Sequence, residues 1–202
     1  MQRDKRFEQM RVETQSKIED AALQTFLQNG ISDTKMQDIA KAANVSAGVT
    51  YRYFSSKDEL IKKVLINAGE GLQNANNTLL TGAKSPKSTF MALASHMLSE
   101  INDNDDAAKL ATLVYQILGS KNGYELAKAS GLIAQHTALK DNLTKIFSLG
   151  QDSGDFKLGD PYELSCFFIS TFQGVAMTKL VLSEQFIMPS LATFTNFIIK
   201  EN

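Results

Sequence analysis

Three helix-start signals crowd into one stretch of this chain, Thr34 to Leu60, which reads TKMQDIAKAANVSAGVTYRYFSSKDEL. Thr34 with Gln37, and Ser56 with Glu59, have the spacing of capping boxes, and Ser46 stands between them as a third N-cap. Met36, Ile39, Ala40 and Ala43 fall on one helical face. Asn44 follows where the chain must reverse, and Asn tolerates the left-handed conformation better than most residues. The next segment, Ala47 to Phe54, is small at its start and aromatic or basic at its end. A helix of roughly two turns with that make-up suits close entry into a DNA groove followed by a grip on the phosphate backbone. The spacing therefore predicts a helix-turn-helix unit over residues 35–54, with a third helix opening after Ser56.

Composition agrees with helices. The chain has 202 residues, 43% of them hydrophobic, so a packed core forms without covalent staples. Its three prolines and its frequent Ala, Leu, Lys and Gln favour an all-α fold. A single cysteine, Cys166, excludes an internal disulfide and a CxxC metal site, and no metal or cofactor is expected. The N-terminus, MQRDKRFEQMRVE, is charged, so no signal peptide is expected. No membrane span is expected either, and the expected location is the cytoplasm.

The net charge is −1, but its distribution is uneven. Residues 1–63 sum to +2 and residues 64–202 to −3, and all four arginines (Arg3, Arg6, Arg11, Arg52) lie in the first 52 residues. The planar guanidinium fork is the better ligand for phosphates and base edges. A small DNA-contacting head on an acidic body fits this asymmetry.

Periodicity extends the reading to about nine helices. Residues 1–8 are expected as an arm, followed by a helix from about Gln9 to Asn29 stopped by Gly30. The fourth helix runs to about Leu80, with Gly69 and Gly71 inside it as either a joint or a site of close packing. Asn102-Asp103-Asn104-Asp105-Asp106 lacks the Gly and downstream Glu of a calcium loop and reads as a connector into the next helix. One helix is expected from about Gly123 to Leu149. Asp160, Pro161 and Glu163 mark another start, and Pro189 opens the last.

The run Ile39-Ala40-Lys41-Ala42-Ala43-Asn44-Val45-Ser46-Ala47-Gly48, then Tyr51-Arg52-Tyr53-Phe54-Ser55-Ser56-Lys57-Asp58-Glu59-Leu60, resembles the head of the tetracycline-repressor (TetR) family, with Ala21-Ala22, Phe26, Asn29-Gly30 and Thr34 fitting upstream. Gly154-Asp155-Phe156, Asp160-Pro161 and Gly174 resemble a looser phrase of that family's regulatory domain. Two positions depart from the pattern: Asn44 stands where the family usually has Gly, and Thr50 where it usually has an aliphatic residue. The resemblance implies residues 11–65 as DNA-binding domain and 66–202 as ligand-binding and dimerisation domain. It implies a homodimeric regulator, usually a repressor, that binds a palindromic operator and is released by a small molecule.

The DNA-contacting set expected on this reading is Thr34, Lys35, Ser46, Ala47, Gly48, Val49, Thr50, Tyr51, Arg52, Tyr53 and Lys57. Small residues allow close approach, Ala47 and Val49 suit a thymine methyl, and Arg52 suits guanine or phosphate. Thr34, Lys35 and Lys57 stand at helix N-termini, which favour anions. The expected effector, hydrophobic or aromatic, is assigned to Phe90, Met97, Tyr115, Leu118, His136, Phe147, Phe168 and Met177. The expected dimer surface is Phe172, Gly174, Leu180, Phe194 and Ile198 on the last two helices. An enzyme is the rival class, but His96, His136 and Cys166 form no catalytic set at readable spacing. A second rival is a DNA-binding protein controlled by a protein partner, or acting architecturally, with no small ligand.

Overall fold

The computed structural model describes residues 2–81, 85–103 and 105–200, with side chains from Lys5 onward. Among the described residues it holds ten α-helices, one 3-10 turn at Ser183–Gln185, and an isolated antiparallel bridge between Phe156 and Ile199 in place of any sheet. The all-α expectation is borne out. The helices are α1 (Gln2–Asn29), α2 (Met36–Ala42), α3 (Ala47–Tyr53), α4 (Lys57–Thr81), α5 (Pro86–Asp103), α6 (Asp105–Leu118), α7 (Gly123–Ala129), α8 (Leu132–Asp152), α9 (Pro161–Leu182) and α10 (Leu191–Thr195).

Two helices differ from the periodicity reading. α1 begins well before Gln9, so most of the expected arm is helix. The helix expected over 123–149 is two, because Gly131 sits at φ +83, a left-handed conformation that breaks the ladder. Ser130 stitches the corner: its hydroxyl donates to the Ala127 carbonyl and accepts from the Leu132 amide.

Ile18, Ala22 and Phe26 of α1, Met36 and Ile39 of α2, and Leu60, Val64 and Leu65 of α4 are buried together. Each of these side chains larger than Ala22 contributes roughly 1.5–3 kcal/mol by leaving water. The same cluster continues into Leu113 and Ile117 of α6, Ala127 of α7 and Leu132 of α8. Head and body thus share apolar core. α4 is unbroken from head to body, and Gly69 is buried within it; a Cβ there would lie 3.8 Å from the Leu132 Cα, an ordinary contact.

In the body, α4 runs against α8, α8 against α9, and α9 against α6. A second core lies beneath them, with Phe90, Phe147, Phe156 and Phe168 nearly or fully buried. Phe90 meets Phe147 and Phe168 edge to face, each at 5.1 Å between ring centroids. A buried polar link sets the register of α4 on α8: Asn76 Nδ2 donates to the Gln135 carbonyl at 3.1 Å, and Asn142 Nδ2 donates to Asn76 Oδ1 at 3.0 Å.

The effector-pocket assignment is corrected here. Phe90, Phe147 and Phe168 fill one another's space as core, while Leu118 packs on the cluster shared with the head. Met97 packs on the phenylalanine core, and His136 is half-buried on α8. Tyr115 and Met177 are 44% and 54% exposed. Helical periodicity marks which residues face inward, but it does not say whether they leave a cavity.

Of the acidic run, Asn102 and Asp103 end α5 and Asp105 and Asp106 open α6, so its described residues are helical; Asn104 lies outside the described residues. A distant lysine organises the corner. Lys179 Nζ on α9 donates to the carbonyls of Ile101 (2.6 Å) and Asn102 (3.1 Å) and pairs with Asp105 at 2.8 Å.

Asp160 caps α9 as expected, its Oδ1 accepting from the amides of Tyr162 and Glu163. The expectation that no segment is apolar enough to span a membrane is corrected by the stretch Pro161–Gln185. It passes by length and composition, with a window of mean hydropathy 1.4. The reason is that α9 is apolar on two sides. Ser165, Phe168 and Ala176 are buried, while Phe167, Met177 and Val181 lie open at 57%, 54% and 74% exposure.

The dimer-surface assignment changes with it. Phe194 and Ile198 are buried, Phe172 packs against the body core, and Leu180 packs beside Ile101 and Ala108. Of the five residues assigned, only Gly174 is on the open face, where a Cβ would meet nothing within 4 Å.

Candidate nucleic-acid interface

α2 and α3 are held at a fixed angle by their connecting turn. Asn44 takes φ +54, as its place in the sequence predicts. The Asn44 amide donates to the Lys41 carbonyl at 3.1 Å and the Val45 amide to the Ala40 carbonyl at 3.0 Å, closing α2. Ser46 caps α3, its Oγ accepting from the Val49 amide at 3.3 Å. Phe54 and Leu60 are core. Ser56 caps α4 through the Glu59 amide, and the Glu59 carboxylate reaches back to the Ser55 amide at 2.6 Å.

Thr50 decides which way α3 faces. Its side chain is fully buried, with its hydroxyl directed to the Ser46 carbonyl at 3.5 Å, so it is removed from the DNA-contacting set. At about 100° per residue, the positions opposite Thr50 are 48 and 52. Gly48 and Arg52 are exposed there, flanked by exposed Ser46 and Tyr51. Val49 leans on the head core, and Ala47 is half-buried. The Tyr53 ring is half-buried, with the Arg52 guanidinium 5.6 Å from its centroid. Tyr51 keeps its ring in the open, at 48% exposure.

Two other expected contacts point elsewhere. Thr34 is 1% exposed, and its hydroxyl donates to the Gly30 carbonyl at 2.7 Å. The cap of α2 is formed one residue later, where the Asp38 carboxylate accepts from the Lys35 amide at 2.9 Å. Lys57 Nζ donates to the carbonyls of Ile31 (2.6 Å) and Thr34 (3.0 Å), tying the α1–α2 link to the start of α4. It is a brace inside the head. Lys35 stays exposed at the α2 N-terminus.

The structure adds residues that the sequence reading placed in or beside the arm. Phe7, Met10, Arg11, Thr14 and Gln15 of α1 form a groove of about 540 Å³ with Arg52 and Tyr53. Positions 7, 10, 11 and 14 have helical i, i+3, i+4, i+7 spacing, which is the signal that marks this face. Arg11 thus joins Arg52 on one side of the head. Among the described residues no group of acidic, histidine or cysteine side chains is placed to hold a metal.

A capped helix-turn-helix with its small and basic residues turned outward, joined by a continuous α4 to a larger helical body, defines a helix-turn-helix transcriptional regulator. Residues 18–64 match the family model for bacterial regulatory proteins of the tetR family. The chain is 24% identical over 175 residues to the uncharacterized HTH-type transcriptional regulator YfiR of Bacillus subtilis, covering 85% of this chain and 82% of that protein. It is 42% identical over 52 residues to the HTH-type transcriptional regulator AcrR of Shigella flexneri, covering 26% of this chain and 24% of that protein. Among solved structures, the SmeT–triclosan complex superposes with a TM-score of 0.74 at 20% identity, over 94% of this chain and 93% of that one. The head of the chain, residues 18–64, is therefore that of the bacterial regulatory proteins of the tetR family.

Proposed function

We propose that this protein binds a palindromic DNA operator as a homodimer, represses transcription there, and is released by a small hydrophobic or aromatic effector. Residues 11–65 act on DNA, and residues 66–202 sense and dimerise. The observation that carries the reading is the burial of Thr50, which turns Gly48 and Arg52 outward on a helix with no bulky side chain at its leading end. Gly48 lets the backbone approach the base edges, Arg52 supplies a fork for guanine or phosphate, and Lys35, Tyr51 and Arg11 hold the backbone.

One head reads few base pairs, and a two-fold dimer doubles the site. The open stripe of α9 (Phe167, Gly174, Met177 and Val181, on one helical face) offers the self-complementary apolar surface such a dimer needs. The effector class is supported by SmeT, named as the repressor of the Stenotrophomonas maltophilia multidrug efflux pump SmeDEF and solved with triclosan. Release follows if the effector binds better to a state whose heads are wrongly spaced for DNA. Control by a protein partner has one observation in its favour: phenylalanine rings fill the body core.

Selection of tight sites from random DNA, followed by anisotropy titration, tests the proposal. Enriched inverted repeats with half-sites about one helical turn apart, or a multiple of it, are expected. Enrichment of no sequence, or of single unpaired sites, overturns it.

A further inference from the structure

α4 and α8 meet along a seam with a seven-residue repeat. Leu65, Gly69, Leu72, Asn76 and Leu79 of α4 face inward, at intervals that alternate between four and three residues. Leu132, Gln135, Leu139 and Asn142 of α8 answer them at alternating intervals of three and four. Leucines flank one layer made of amides. Asn76 is 4% exposed, and its Nδ2 donates to the Gln135 carbonyl at 3.1 Å and to Gln135 Oε1 at 3.3 Å. Its Oδ1 accepts from Asn142 Nδ2 at 3.0 Å. Leucine contacts are non-directional, so they tolerate a small slide of one helix along the other. The amide bonds do not, because a slide of about 2 Å carries them past hydrogen-bond length. That leaves a buried amide unpaired, which costs more than the bond contributes in place. One buried Asn in an apolar seam thus fixes register at some cost in stability, as it does in coiled coils. α4 also carries the head. It opens at Lys57, about 28 Å from the amide layer at 1.5 Å per residue.

We propose that Asn76 is a positioning residue for operator recognition. Its amide layer admits one axial register of α4 on α8, and that register fixes where the head stands relative to the body. The link to DNA rests on the operator reading above, whereas the single register stands without it.

The test compares the full-length wild type with the double variant Asn76→Leu/Asn142→Leu. Leucine matches asparagine in the number and branching of its side-chain heavy atoms, so the layer keeps its shape and loses its directionality. The melting temperature is expected to hold or rise, because both partners of a buried bond become apolar together. Methyl NMR without DNA is expected to show one sharp set of signals for Leu65, Leu72 and Leu79 in the wild type, and broadened or doubled signals in the variant. A role in packing alone gives the reverse, a lower melting temperature with single sharp signals. Anisotropy titrations then use paired half-sites at the preferred spacing and at one base pair more. The preference for the correct spacing is expected to shrink by roughly threefold to tenfold in the variant, the worth of about one hydrogen bond between neutral groups. Affinity for an isolated half-site is expected to stay within about twofold. Asn142→Ala, at a half-buried position, removes one bond and is expected to give the same changes in smaller measure. It carries the test if the double variant fails to fold. Single sharp methyl signals in the variants overturn the proposal, and multiplied signals with an unchanged spacing preference overturn the positioning role. A wild type without any spacing preference overturns the operator reading instead, and the methyl signals still decide the register.

Discussion

At the scale of single residues, exposure sorts the expected DNA-facing set into proposed contacts and supports. Arg52→Ala removes an exposed fork and is expected to cost about 1–3 kcal/mol of operator binding, with relaxed preference at one base pair. Anisotropy titrations against single-base operator variants measure it. Thr50→Val keeps the shape of a buried side chain, so operator affinity is expected to stay within about twofold. Lys57→Met is the informative contrast. Its ammonium binds two carbonyls within the head, so the change is expected to lower folding stability by about 1–2 kcal/mol in denaturant melts. The salt dependence of DNA binding then stays as in the wild type, since no phosphate contact is lost.

His136 carries a pH effect of definite sign. Burial disfavours its charged form and lowers its pKa below the usual imidazole value. Below about pH 6.5 the unfolded chain takes up a proton that the folded protein resists, so this group subtracts stability as the pH falls. Urea melts of the wild type and His136→Gln at pH 7.5 and 5.5 are expected to show a smaller loss in the variant. Equal losses contradict the assignment.

At the scale of elements, contacts remote in sequence set the corners. The α8–α9 link folds back so that Phe156 covers Gly150; a Cβ there would lie 2.1 Å from the ring. Gly150→Ala must displace a fully packed phenylalanine and is expected to destabilise by about 1–3 kcal/mol, read from the thermal midpoint. At the α5–α6 corner, Lys179 holds the carboxyl of Asp105 below its ordinary pKa. Stability from that pair is present above the unfolded carboxylate pKa and fades as the pH falls through the lower folded value. Caps show the reverse case, local and legible: Ser46, Ser56 and Asp160 each sit at the helix start their spacing predicts. The break at Gly131 was hidden because the apolar stripe of 123–149 continues across it.

At the scale of the whole molecule, the open face of α9 is the surface proposed for assembly. Met177→Glu with Val181→Glu places charges on the apolar stripe while leaving the buried side of α9 untouched. The pair is expected to give a monomer by sedimentation, with a helical spectrum unchanged and operator affinity reduced more than tenfold. A variant that remains dimeric places the interface elsewhere. The two apolar sides of α9 also explain why a helix of this composition passes the length and hydropathy test for a membrane span.

The sequence by itself determined the helical class, the caps at Ser46, Ser56 and Asp160, the reversal at Asn44 and the concentration of arginine near the head. These depend on bonds between residues close in the chain and on a periodicity that any helix must obey. Only the tertiary structure decided which side of α3 looks outward, because that depends on the space Thr50 finds beneath it. It alone made Lys57 a brace, turned four of the five residues assigned to the dimer surface into core, and packed the three phenylalanines assigned to a pocket against one another. An inward-facing apolar residue has the same sequence signature whether it lines a cavity, an interface or a core. Distance between elements separates the three, and it is set by every packed neighbour together.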